Sequence, residues 1–286
     1  RTDDALPDYR DAFGRDEVQY KERVAGAVDG RSMVFVRGGV TLIGSDVGGK
    51  DETPLHTQIV DSFYIDVYEV TNRDYLVYVM EGGGSTPRAW KSGAFPAGKA
   101  DHPVMVTYYE ASGYARWAGK RLPTEFEWER AANGVIASRK TVTDDGMVEN
   151  PYKTRYPWGN DITFQTNYSA LWDDTEAMTQ YTYIKRGTLP VQQFESTDVS
   201  YYGAVHMAGN IGEWTSSWYR AYEGSRYTDI RYGTQVKVIR GGSWFSSAEE
   251  CTVSARSYGG LPNLESDASA GFRCVRDVDA NDRAGE

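Results

Sequence analysis

After Gly134 the sequence loses its period. From there on Gly, Asn, Asp, Tyr and Trp recur in turn-like clusters, and neither a 3.6-residue nor a 2-residue apolar repeat is sustained for long. Half a chain made of loops keeps one shape only if something holds the loops, and buried aromatics, bound cations or a disulfide are the usual means. Aromatics are available in quantity, with 8 Trp, 21 Tyr and 9 Phe among 286 residues. A chain of this length, 40% hydrophobic and 25% charged, buries a core without metal or disulfide staples. No internal repeat, low-complexity tract or linker divides residues 33 to 279.

The first half carries the regular elements. Met33–Val36 and Val40–Ile43 flank Gly38-Gly39, which predicts a hairpin at the start of the domain. Strand signals recur at Gln58–Val60 and Phe63–Ile65. Thr71 with Asp74, Thr107 with Glu110 and Thr124 with Glu127 each place a hydroxyl three residues ahead of an acid, which predicts three helix starts. Residues 1 to 32 are polar and without period, and read as an arm that the body or a neighbouring subunit must hold; residues 280 to 286 read as a tail.

Charge and hydropathy exclude several classes of function. A net charge of −10 repels phosphate backbones and anionic lipid, so nucleic acid is not an expected partner. Apolar stretches such as Val77–Met80 fall far short of the roughly 20 residues a membrane helix needs, although a lipid anchor or docking to a membrane complex is compatible. The chain begins at Arg1 rather than Met, as a product whose leader has been removed would, and an extracytoplasmic (periplasmic or cell-surface) location is the expectation; trimming gives the same start.

Few residues carry recognisable chemistry. Asn210-Ile-Gly-Glu213 sets an amide oxygen and a carboxylate around backbone carbonyls, a set that Ca²⁺ takes and that a capped turn uses equally well. Asn167 and Asp173-Asp174 offer a second oxygen cluster. His56, His102 and His206 are scattered and read as structural; HExxH, GxSxG, Walker and GxGxxG patterns are absent. Arg240-Gly-Gly-Ser-Trp244 reads as a strand end followed by a close backbone approach. Cys251 follows Glu249-Glu250, whose charge raises a nearby thiol. A Cys251–Cys274 disulfide closing about two dozen residues is worth about 3 kcal/mol in the chain-entropy picture and is the preferred reading for an oxidising compartment, with free thiols the alternative.

Taken together, the segments resemble the formylglycine-generating-enzyme (sulfatase-modifying-factor) family. In family order they are Met33–Gly39; Phe63-Tyr-Ile-Asp66 with Glu69-Val-Thr-Asn72; His102-Pro-Val; Arg121-Leu-Pro-Thr-Glu125 with Glu127-Trp-Glu129; Tyr156-Pro-Trp-Gly-Asn160; Gly209-Asn-Ile-Gly-Glu-Trp-Thr215; Arg240–Trp244; and Gly271-Phe-Arg273. The resemblance implies a loop-rich single α+β domain with a C-type-lectin-like core over residues 33 to 279, and bound Ca²⁺. It places Asn210, the Ile211 carbonyl and Glu213 on one calcium motif, with Gly212 where the family usually has Trp, and Asn167 with Tyr168 on the other.

The resemblance also sets the functional expectations. Copper-using members hold Cu(I) between two cysteines after the RGGS turn, because that ion prefers soft thiolates. Here Ser246 stands at the first position and Cys251 at the second, a poor clamp, so copper and formylglycine synthesis are not expected. The leading expectation is a non-catalytic binding or scaffold subunit of an extracytoplasmic assembly, with other protein subunits as partners. The alternatives are a redox or tailoring enzyme using a non-copper pocket of Ser243, Trp244, Ser246, Cys251 and Arg256, and a lectin-like ligand binder.

Overall fold

Three helices begin where the capping pattern predicts. The Asp74 carboxylate accepts from the Thr71 N–H at 3.1 Å while the Thr71 hydroxyl accepts from the Asp74 N–H, starting α1 (Asn72–Glu81). Thr107 and Glu110 start α2 (Tyr108–Trp117), and Thr124 and Glu127 start α3 (Glu125–Asn133) in the same way. Each reciprocal pair satisfies backbone donors that a helix start leaves open.

The computed structural model describes residues 21–133, 137–143, 146–162, 166–168, 187–258 and 270–282. In chain order the strands are β1 (Arg23–Ala25), β2 (Ser32–Val36), β3 (Gly39–Ile43), β4 (His56–Val60), β5 (Phe63–Asp66), β6 (Ala137–Thr143), β7 (Gly146–Tyr152), β8 (Gly212–Trp218), β9 (Lys237–Arg240), β10 (Arg256–Tyr258), β11 (Ala270–Gly271) and β12 (Val275–Asp277). One sheet runs β1-β2-β5-β12, antiparallel throughout, with Val34 and Val275 both opposite Ile65. A second runs β10-β9-β8-β11, in which β11 lies parallel to β8. β3 with β4 and β6 with β7 form two-stranded ribbons. Among the described residues no helix is long and apolar enough to cross a membrane.

One sequence expectation is corrected by this topology. β2 and β3 do not pair as a hairpin: β2 lies between β1 and β5, and β3 joins β4. The Gly38-Gly39 step carries the chain from one sheet to the other, and the Arg130 guanidinium fixes it by donating to the carbonyls of Arg37, Gly38 and Val40. Within the stretch read as an arm, β1 adds a strand to the first sheet, so the body of the molecule holds that part of it. Residues 1–20 of the arm and 283–286 of the tail lie outside the described residues.

The core forms around two tryptophans. Trp214 packs with Tyr75 and Tyr114 of the first two helices and with Phe272, and its Nε1 donates to the Val106 carbonyl at 2.8 Å. Trp128 of α3 packs with Val34, Ile65, Met207 and Val275, beneath the first sheet. Buried ion pairs join the loops to this frame. Glu129 lies between Lys153 and Arg240, and Lys120 donates to Asp29 and Asp66 at 2.7 and 2.8 Å. Each group is otherwise shielded from water, so removing one partner strands a charge.

Candidate functional site

β9 ends in Arg240, whose guanidinium donates to Glu129 and to the carbonyls of Val253 and Ser254. The next two residues are left-handed, Gly241 at φ +92° and Gly242 at φ +68°. A Cβ on Gly242 would lie 2.7 Å from the Cys251 Sγ, so only glycine lets the turn close over that thiol. Ser243 follows, buried, with its hydroxyl 3.2 Å from that of Ser246. Trp244 donates its N–H to the Asn210 carbonyl at 3.1 Å and stacks edge-on against Phe245, both rings half-buried.

Ser243, Trp244, Ser246 and Cys251 thus gather around one turn, whereas Arg256 does not join them. Its guanidinium is taken by Glu125 at 2.8 and 3.1 Å, by the carbonyls of Asp51 and Arg220, and by the face of Tyr222 at 4.1 Å. Burial pushes the Cys251 thiol well above its ordinary range, and the Glu250 charge adds to the shift. The donors at this turn are one buried thiol and two hydroxyl oxygens, a set with a single soft ligand where a cuprous ion prefers two.

The expected Cys251–Cys274 disulfide is not formed; both thiols are free and buried. They belong to different packing clusters. Cys251 sits with Tyr156 and Tyr168, and Cys274 with Tyr114 and Phe272, next to the Asp66 carboxylate that accepts from its N–H.

The residues placed on calcium motifs are engaged with one another and with the protein's own cations. Asn210, left-handed at φ +57°, accepts on Oδ1 from the Leu189 N–H at 2.8 Å and from Asn167 Nδ2 at 3.0 Å, and donates from Nδ2 to Glu69 at 2.9 Å. Asn167 returns its carbonyl to the Asn210 N–H at 2.7 Å. The Glu213 carboxylate accepts from Trp128 Nε1 at 2.8 Å and from Arg273 at 2.7 to 2.9 Å. Asn210 and Glu213 as they stand do not fit a calcium ion, since both lone-pair sets point at donors. Ile211 is fully buried and Tyr168 packs in the cluster of Cys251. Asp173 and Asp174 lie outside the described residues. Among the described residues no three His, Cys, Asp or Glu side chains gather as metal ligands.

One buried cluster has no counterpart in the spacing of the sequence. His206, left-handed at φ +57°, has Nδ1 3.6 Å from the Glu69 carboxylate, and its N–H donates to the Asp198 carbonyl at 3.2 Å. Both Asp198 carboxylate oxygens, Glu69 Oε2 and His206 Nδ1 are buried without a hydrogen-bond partner among the described residues. Burial pushes Glu69 and Asp198 each up to about 7 and holds the His206 imidazole below its usual range. The only sequence signal was a lone histidine inside the small apolar run from Gly203 to Ala208.

Comparisons with known proteins bear on the family and the fold. Residues 20–278 match the family described as "Sulfatase-modifying factor enzyme 1-like domain". A Chlamydia caviae protein named serine/threonine-protein kinase pkn1 is 32% identical over 86% of this chain, which spans 38% of that relative's length. The Streptomyces coelicolor formylglycine-generating enzyme is 29% identical over 87% of this chain and 90% of its own, and the Mus musculus "inactive C-alpha-formylglycine-generating enzyme 2" is 30% identical over 85% of each. Among solved structures, PvdO from Pseudomonas aeruginosa superposes with a TM-score of 0.61 at 21% identity, covering 92% of this chain and 100% of its own. A two-sheet α+β frame closed by long loops, the RGGS turn over Cys251 and a match across nearly the whole described chain place this protein in the sulfatase-modifying-factor family.

Proposed function

We propose that the chain is a binding or accessory subunit of an extracytoplasmic protein assembly, built on a sulfatase-modifying-factor domain and without copper oxidation chemistry. The observation that carries this reading is the Ser243–Ser246 hydroxyl pair beside the single buried Cys251 thiol. Oxidising a substrate cysteine through Cu(I) asks for two soft thiolates, and this turn offers one suppressed thiol and two hard hydroxyls. A relative named inactive supports a non-catalytic role within the family.

Two measurements test the reading. Protein loaded with cuprous ion and given a cysteine peptide and O₂ is expected to yield no aldehyde above a protein-free control, and steady aldehyde formation overturns the proposal. Native purification from the periplasmic or surface fraction, followed by mass spectrometry, is expected to show stoichiometric protein partners. A monodisperse monomer in that preparation counts against the assembly role.

A further inference from the structure

We infer that the Arg273 guanidinium does the loop-organising work of a hard cation at Glu213, and that the Asn210–Glu213 turn is calcium-independent. Arg273 stands between β11 and β12 and is fully buried. Its Nε donates to both Glu213 oxygens at 2.9 and 2.8 Å, and its Nη2 to Glu213 Oε1 at 2.7 Å. The remaining donors reach four main-chain carbonyls: Asp66 at 3.2 Å, Val67 at 3.0 Å, Val205 at 2.7 Å and His206 at 3.4 Å.

The coordination resembles that of a bound ion in what it gathers. One carboxylate and four carbonyl oxygens, from the end of β5, from the loop before β8 and from β8 itself, converge on a single positive charge. Calcium collects a similar all-oxygen set, drawing loops together by their carbonyls. A guanidinium supplies the charge permanently and adds direction, because its donors lie in a fixed plane. The other half of the turn is closed to a cation as well, since the Asn210 amide oxygen already accepts from Leu189 and Asn167. A calcium ion at Glu213 would have to displace Arg273 and leave a buried guanidinium facing four carbonyls without its counter-charge.

The test is a crystal structure of the wild-type chain grown in about 10 mM calcium, a concentration that fills even the weak extracellular class of sites, read by anomalous scattering. The expected map shows Arg273 bridging Glu213 with no calcium within about 2.6 Å of that carboxylate. A peak confined to Asn167 and Tyr168 agrees with this, because the Glu213 pairing is then intact. A calcium on Glu213 with Arg273 swung away overturns the inference. In solution, the wild-type thermal midpoint, followed by intrinsic tryptophan fluorescence, is expected to agree within about a degree between calcium and EGTA; a calcium-dependent rise of several degrees, the size saturation of a specific site produces, contradicts the inference when the map places the ion on Glu213. Arg273→Gln removes the charge and opens the same oxygens, so that variant is expected to gain a calcium-dependent rise of several degrees that the wild type lacks. The wild-type map decides even where the variant does not fold.

Discussion

At the scale of single residues, the buried acids near His206 set a pH dependence with a definite sign. Asp198 and Glu69 are each held up to about 7 by burial, against ordinary values of 3.8 and 4.5. Between those values the two acids hold more protons in the folded chain than in the unfolded one, so their own contribution to stability falls as pH rises from about 4 to about 7, while the depressed His206 contributes in the opposite sense. Asp198→Asn removes one of the two ionisations. It is expected to raise the unfolding free energy measured in urea at pH 8, by an amount on the order of 1 to 3 kcal/mol, and to change it little at pH 4. An equal effect at both pH values contradicts the assignment. Residue-scale chemistry was partly legible. The acidic neighbours of Cys251 foretold a suppressed thiol, and glycine at position 242 foretold a close approach. The pairing of Glu213 with Arg273 was not legible, because two charges 60 positions apart carry no local sign of meeting.

Among the elements, what could be read depended on how far each interaction reaches along the chain. A capping box spans three residues, so Thr71, Thr107 and Thr124 announced their helices. Strand pairing spans dozens, and Gly38-Gly39 looked like a hairpin turn because the sequence shows a bend without showing which strand comes next. The partners of β2 are β1, inside the supposed arm, and β5. The helix starts also supply a quantitative check. Thr107→Ala removes the acceptor for the Glu110 N–H and should cost about 1 kcal/mol in urea unfolding, while a Thr107→Ser variant should keep most of it. Arg256 illustrates the converse case: grouped in the sequence with Ser243, Trp244 and Ser246 as a pocket residue, it is placed by β10 pairing over Glu125 and Tyr222 instead.

For the whole molecule, two free thiols in separate clusters predict a simple titration. A thiol reagent should label neither Cys251 nor Cys274 in the native chain and both in denaturant, with the intact mass unchanged by reductant. A mass shift of two hydrogens on reduction contradicts this. The need for something to hold the loops was legible from composition alone, and the aromatics do hold them. The protein's own buried guanidinium groups share that work, an option composition does not separate from bound ions. The first sheet has a further consequence. Its central strand β5 is completed by β12, with Val275 opposite Ile65 and the Lys21 N–H bonded to the Asp282 carbonyl. Pairing over such sequence separation forms slowly, since a long loop must close before any contact compensates for it. A nascent chain leaving the ribosome therefore exposes one side of β5 until the last strand emerges, and during synthesis that open edge is where a chaperone would have to stand guard.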